Sequence, residues 1–300
     1  MDCDDWIVRL ADDDTSENAM ARSRKSTKQQ SLAAIPGALV LVGAGKMGGA
    51  MLDGWLARKL PPKKVIVLDP QPSKAIKALA KRGVRINPRG DVGPVAALVI
   101  AVKPQTAPDA LPLLAALIDS KTVVVSIMAG RTLGFLEQHL PNAAIVRAMP
   151  NTPAAIGRGI TVAVGNARVK TAGRKVAHGL LSATGAVEWV DDEALMDAVT
   201  AVSGSGPAYV FLLAEAMAQA GVAAGLPAAL AGKLARETIA GSGELLHRSP
   251  LPAATLRQNV TSPGGTTAAA LGVLMAGDGV SPLMTRAVAA ATKRGKELAG

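Results

Sequence analysis

Residues 38–48 read ALVLVGAGKMG. Ala38 to Val42 is a continuous apolar run, the pattern of a strand buried on both faces of a parallel sheet. It passes directly into Gly43, Ala44, Gly45, Lys46, Met47 and Gly48, and the residues after this loop read as a helix with small residues on one face. Lys64 to Leu68 is a second apolar strand, and it ends on Asp69. A G-x-G-x-x-G loop alone is a weak signal. Between a strand and a helix, with an acid closing the next strand, it reads as a dinucleotide-binding fold. Gly43 permits the tight turn, Gly45 removes the side chain where a pyrophosphate approaches, and Gly48 lets helix and strand pack closely. The start of the helix offers free N–H groups to the phosphates.

Asp69 stands where an acid can accept hydrogen bonds from ribose hydroxyls and repel a 2′-phosphate, which favours NADH. Lys74 can offset that charge and admit NADPH. Asp69 can also be a turn residue before Pro70, so both nucleotides stay open.

Working outward, strands are expected near 95–102, 122–127 and 143–149, separated by helices near 73–82, 108–119 and 132–140. Such alternation implies a mainly parallel sheet with right-handed crossovers. Two more strands, 159–164 and 186–190, flank a helix near 169–183. From about 192 the strands stop. Segments 194–202, 207–224, 227–247, 252–260, 266–275 and 282–298 all read as helices, several begun by proline or a small hydroxyl residue. The expected class is α/β, with a Rossmann-like domain over 37–192 and an all-α domain over 193–300. Strand ends at Ala101, Val102, Lys103 and Pro104, and at 126–130, fall on the carboxyl edge of the sheet, where open α/β sheets bind ligands. Lys103 reads equally well as a solvated surface lysine.

Of the 300 residues, 49% are hydrophobic, enough to bury a sizeable core, while aromatics make up 2%, so that core is aliphatic. The single cysteine, Cys3, excludes an internal disulfide framework and a cysteine-ligated metal cluster, and suits a reducing compartment. The net charge of +10 favours steering of small anions over nucleic acid, because no basic block accompanies a nucleic-acid motif. Residues 1–36 are acidic and then basic, without an apolar centre, so they read as a disordered extension and not as a secretory signal. Met20 is an alternative start that would exclude residues 1–19. No apolar run reaches the roughly 18 residues of a membrane span.

Far downstream lies Thr261-Ser-Pro-Gly-Gly-Thr-Thr267, where Gly264 and Gly265 are ringed by the hydroxyls of Thr261, Ser262, Thr266 and Thr267. As structure it ends one helix and caps the next. Its backbone-rich, uncharged character also suits the lip of a pocket. Together with 43–48, 101–105, Arg147-Ala-Met-Pro-Asn-Thr-Pro153 and Ser203-Gly-Ser-Gly-Pro-Ala-Tyr209, in this order, it resembles the pyrroline-5-carboxylate reductase family over about residues 37–298. The resemblance implies a Rossmann domain holding NADPH or NADH, and a helical domain that forms a homodimer and in some members a decamer. It implies reduction of 1-pyrroline-5-carboxylate to L-proline, the last step of proline biosynthesis, in the cytoplasm.

By position, Ser262 and the backbone N–H groups of Gly265 and Thr266 resemble the family's clamp on the substrate carboxylate, with Gly264 in the same turn. Thr267 matches the hydroxyl on the ring nitrogen, Asn259 a residue near the nicotinamide, and Met47 one beside the pyrophosphate. Asp69 stands where many relatives carry Ser or Asn. Met128 replaces a smaller residue, and the acidic extension lies outside the family pattern. The chain offers no general acid: His139, His178 and His247 are scattered. A ketone would need one, whereas a cyclic imine can enter protonated and take hydride to a neutral amine. A hydroxy-acid reductase would instead want a lysine on the interdomain helix, where this chain has only Lys233. Arg147 and Asn151 read as bracing of a strand end.

Overall fold

The computed structural model describes residues 32–299. Eight strands form one sheet in the order β3-β2-β1-β4-β5-β6-β7-β8. They are β1 (Ala38–Val42), β2 (Val65–Leu68), β3 (Arg85–Ile86), β4 (Val95–Ile100), β5 (Val123–Ser126), β6 (Ala144–Met149), β7 (Gly159–Gly165) and β8 (Gly185–Trp189). Neighbours from β3 to β6 pair in parallel. β7 turns antiparallel to β6, and β8 runs parallel to β7. The connecting helices are α1 (Lys46–Ala57), α2 (Lys74–Ala78), α3 (Ala107–Leu114), α4 (Leu133–His139) and α5 (Thr171–Leu181).

The strand period of two sorts the side chains onto two faces. Leu39 and Leu41 of β1 join Met51, Leu52 and Trp55 of α1 and Leu180 of α5 in one buried cluster. Val40 and Val42 point the other way, to Leu111 of α3 and Leu136 of α4. Trp55 is fully buried, and its indole Nε1 donates to Leu180 O at 2.9 Å, so its polar atom is matched inside the core. Thr132 caps α4 by accepting from Phe135 N at 3.1 Å. Strand β3 has two residues, one of them charged, too short for a periodic signal, and the sequence reading omits it.

Residues 1–31 of the extension expected to be disordered lie outside the described residues. The rest of it does not match that expectation. Leu32 and Ile35 are buried, at 3% and 6% exposure, and Lys64 Nζ donates to Ala33 O at 3.2 Å and Ile35 O at 2.6 Å. Leu32 packs beside Gly179 of α5. The apolar content of 32–35 supplies what the polar residues before it lack.

After β8 the chain is helical: α6 (Met196–Val199), a π-helical turn (Thr200–Gly204), α7 (Gly206–Ala223), α8 (Ala228–Arg248), α9 (Ala253–Asn259), α10 (Thr266–Leu274) and α11 (Val280–Ala299). α7 and α8 form a hairpin closed by small residues, with Ala231 and Ala235 buried. α7, α9 and α10 bury no residue at all. On the apolar α7, Phe211 is 64% and Leu212 63% exposed.

Candidate active site

The glycine loop is built as its spacing demands. Gly43 holds φ +87, and a Cβ there would lie 2.8 Å from Ala101 O. A Cβ on Gly48 would collide with Gly43 O, so this position fixes how closely α1 meets β1. Gly45, the N-cap of α1, faces open space instead. The loop therefore presents bare backbone and unpaired first-turn N–H groups outward. Lys46 is exposed beside it. The Asp69 carboxylate reaches across from the end of β2, and its Oδ2 accepts from Ala44 N at 2.8 Å.

A cleft of about 280 Å³ opens along the carboxyl ends of the strands. Met47 forms one wall, and Ala101, Val102 and Pro104 continue from β4. Ile127, Met128 and Ala129 follow β5, and Met149 to Thr152 follow β6. Gly204, from the π-helical turn, closes the far side, where its Cα lies so near Met149 that a Cβ would stand 2.5 Å from the methionine Cε. The turn is held open by Tyr209, whose hydroxyl donates to Ala201 O at 2.9 Å, and by the wide Ser205 N to Thr200 O bond. π-turns of this kind recur at functional sites. Among the described residues no titratable side chain lines the cleft. Displaced pKa values occur elsewhere: burial lowers that of Arg58, the Lys121 N–H lowers that of Asp119, and the Arg248 hydrogen bond lowers that of Glu244.

Several expected site residues thus come together: Gly43, Ala44, Gly45, Met47, Gly48, Asp69, Ala101, Val102 and Pro104. Lys103 does not join them. It is exposed and lines no part of the cleft, and only its carbonyl is engaged, accepting from Thr106. Its side chain takes the solvated alternative because the chain turns at Pro104.

Asn259, Ser262, Gly264, Gly265, Thr266 and Thr267 are also absent from the cleft lining. They form the end of α9, a turn with Gly264 at φ +68, and the start of α10, on helices that bury nothing within their own chain. Gly265 N donates to Ser262 O at 3.1 Å, so that N–H, expected in a carboxylate clamp, is already spent closing the turn. The open donors of α10 are the first-turn N–H groups of Thr266 and Thr267. Lys233 is exposed on α8.

Arg147 and Asn151 are braces. Arg147 is nearly buried, with its side chain 6% exposed, and pairs with Glu193 at 2.7 Å. Glu193 Oε1 also accepts from Leu133 N at 2.7 Å, which ties β6, α4 and the start of the helical region together. Asn151 Oδ1 accepts from Ile160 N at 2.9 Å. The histidines are structural or superficial: His139 bonds Phe135 O, His178 accepts from Trp189, and His247 meets Arg158. The sequence reading missed Met149 and Gly204 as cleft walls, although both lie within motifs it singled out.

A mainly parallel sheet with a glycine loop at its first crossover and a ligand-sized cleft at its carboxyl edge defines a Rossmann-type dinucleotide-fold protein with an added helical region. Comparison with known proteins narrows this class. Residues 193–298 match a family model described as pyrroline-5-carboxylate reductase dimerisation, and residues 38–130 match one described as NADP oxidoreductase, coenzyme F420-dependent. The chain is 41% identical to a pyrroline-5-carboxylate reductase of Synechocystis sp., covering 87% of this chain and 97% of that one. It is 38% identical to that of Pseudomonas aeruginosa over 87% and 96%. Among solved structures, a pyrroline-5-carboxylate reductase from Coxiella burnetii superposes with a TM-score of 0.81 at 32% identity, covering 88% of this chain and 99% of that one. One from Plasmodium falciparum, solved with NADP bound, gives 0.74 at 29% over 89% and 99%. This chain belongs to the pyrroline-5-carboxylate reductase family.

Proposed function

We propose that the protein reduces 1-pyrroline-5-carboxylate to L-proline with NADPH or NADH, the last step of proline biosynthesis. The observation that carries the reading is the cleft between Met47 and Gly204, which joins the glycine loop to the helical region and, among the described residues, is lined by no acid or base. A ketone reductase needs a proton donor at that place. A cyclic imine that enters protonated does not.

In this reading residues 37–192 hold the dinucleotide and residues 193–300 hold the substrate and pair two copies. The first-turn N–H groups of α1 and the bare backbone at Gly45 receive the pyrophosphate, with Met47 beside it. Ala101, Val102 and Pro104 form the dry wall against which the nicotinamide lies, and the bound dinucleotide supplies the hydride. The 260–267 turn orients the substrate. Ser262 and the N–H groups of Thr266 and Thr267 hold its carboxylate, Gly264 shapes the turn, and the Thr267 hydroxyl accepts the N–H of the iminium. Asn259 lies at the nicotinamide edge. Catalysis is then mostly orientation and proximity.

The absence of this turn from the cleft lining of its own chain supports a shared site, completed when a second copy brings its turn across. The open apolar row on α7 supports such a homodimer, as does the apolar groove of about 680 Å³ beside it, lined by Val202, Pro207, Tyr209, Phe211 and Met284. Further assembly into a decamer follows the family. Among the described residues no helix is long and apolar enough to cross a membrane. In this reading the enzyme works in the cytoplasm, as expected for the last step of an amino-acid biosynthesis. Mixing the purified protein with 1-pyrroline-5-carboxylate and either reduced nucleotide, and following nucleotide absorbance, tests the reading. Loss of absorbance with proline formed supports it, and no oxidation of either nucleotide overturns it.

A further inference from the structure

Asp69 is more tightly held than an acid at a strand end needs to be. Its Oδ2 accepts from Ala44 N at 2.8 Å, and its Oδ1 accepts from Gln71 N at 2.8 Å. Its own peptide groups are fixed by Asn87, which accepts from Asp69 N at 2.9 Å and donates to Asp69 O at 2.7 Å. Asn87 adopts φ +44 to do so, and Pro70 stiffens the other side. Among the described residues no lysine or arginine forms an ion pair with Asp69, and Lys74 is exposed.

This geometry has a chemical consequence for whatever lies beside the loop. An ionised carboxylate has about four lone-pair sites and no proton to give. Two sites are used by Ala44 and Gln71, and those that remain accept from the hydroxyls of a ribose diol. A 2′-phosphate offers no such donor and carries about two negative charges. At contact distance, repulsion from one fixed carboxylate weakens binding about tenfold even when fully screened by water. A mobile side chain would swing aside. The two backbone N–H groups prevent that, because turning Asp69 away would leave both unpaired.

We propose that Asp69 is the specificity-determining residue that makes this protein select NADH over NADPH. The inference rests on the dinucleotide-dependent reduction proposed above, and its test needs no imine substrate. Dissociation constants for NADH and NADPH are measured by nicotinamide fluorescence on the full chain, at several salt concentrations, for the wild type and for Asp69→Ser. The wild type is expected to bind NADH on the order of tenfold tighter, with the ratio narrowing as salt rises, because repulsion between charges is screened. Asp69→Ser is expected to shift the ratio towards NADPH by about tenfold. Equal affinities or an NADPH preference in the wild type overturn the inference while leaving the reduction intact. An unchanged ratio in Asp69→Ser also overturns it and reduces Asp69 to a loop tie. Should that variant fail to fold, the salt dependence of the wild-type ratio decides: a salt-independent ratio overturns the inference. Binding of neither nucleotide overturns both the inference and the proposed function.

Discussion

The Arg147–Glu193 pair gives two substitutions of unequal cost, although each removes one end of the same 2.7 Å contact. The Arg147 side chain is 6% exposed and that of Glu193 28%. Glu193→Ala leaves a guanidinium buried without a counter-charge and leaves Leu133 N without its acceptor at the start of α4. Breaking a buried pair in this way costs about 3–5 kcal/mol; partial hydration from the Glu193 side argues for about 3 kcal/mol. Arg147→Met removes the costly charge itself and keeps the volume. The remaining carboxylate is hydrated at its exposed edge and keeps the Leu133 N–H, so the loss is about 1 kcal/mol. For a chain of this size these values lower Tm by about 6–12 °C and about 2–4 °C. Urea unfolding and thermal melts of both variants, at one fixed protein concentration because assembly shifts apparent stability, measure the difference. If Arg147→Met proves as costly as Glu193→Ala, the burial asymmetry does not govern the pair and the reasoning is refuted.

Four further outcomes are expected. Thr267→Ala lowers turnover on the order of 10²-fold by loosening substrate orientation, with the melt unchanged; full activity would remove Thr267 from the mechanism. Gly48→Ala drives a Cβ into Gly43 O and should weaken nucleotide binding more than tenfold while destabilising by about 1–3 kcal/mol, as calorimetry would reveal. Trp55→Phe removes the indole bond to the Leu180 carbonyl, which keeps a backbone N–H from the helix end, and costs about 0.5–1.5 kcal/mol; wild-type stability would refute the importance of that bond. The Asp119 carboxyl is held below its ordinary pKa by the Lys121 N–H and the Thr122 hydroxyl, so it stabilises the fold above about pH 4, and this is lost as pH falls through the folded value. Asp119→Asn should lower stability at neutral pH and flatten the acid limb of the stability profile; an unaltered limb would contradict this.

The sheet was legible because its signal is local. Runs such as Ala38 to Val42 are apolar throughout, and the glycine pattern between a strand and a helix has few other uses. The two-residue β3 left no such trace, and its pairing with β2 is a tertiary fact. Leu32 and Ile35 were hidden by the polar residues that precede them. At the site, strand-end residues were readable because the carboxyl edge of a parallel sheet follows from chain direction. Lys103 was not, since alternate faces of a turn are set by a single proline. Gly204 could be recognised as important but not as a wall of the cleft, because that depends on a π-turn wider than the helix period. The 260–267 turn stands out as a motif, but where it lies relative to the cleft is not written in its local pattern, because that depends on how the helices around it pack.

The unburied apolar row of α7, with Val210, Phe211, Leu212 and Leu213 each at least 46% exposed, sets an order of events at the ribosome. Among the described residues every strand lies before Val190, so the sheet can form while the helices are still being made, and synthesis of the remainder takes on the order of 10 s. A finished chain then carries a completed sheet and a helical tail whose apolar row no other described residue covers. Maturation becomes a bimolecular step whose half-time lengthens in proportion as chains grow scarce. The interval before that encounter is when chaperones and proteases compete for the protein, and it is longest when expression is low.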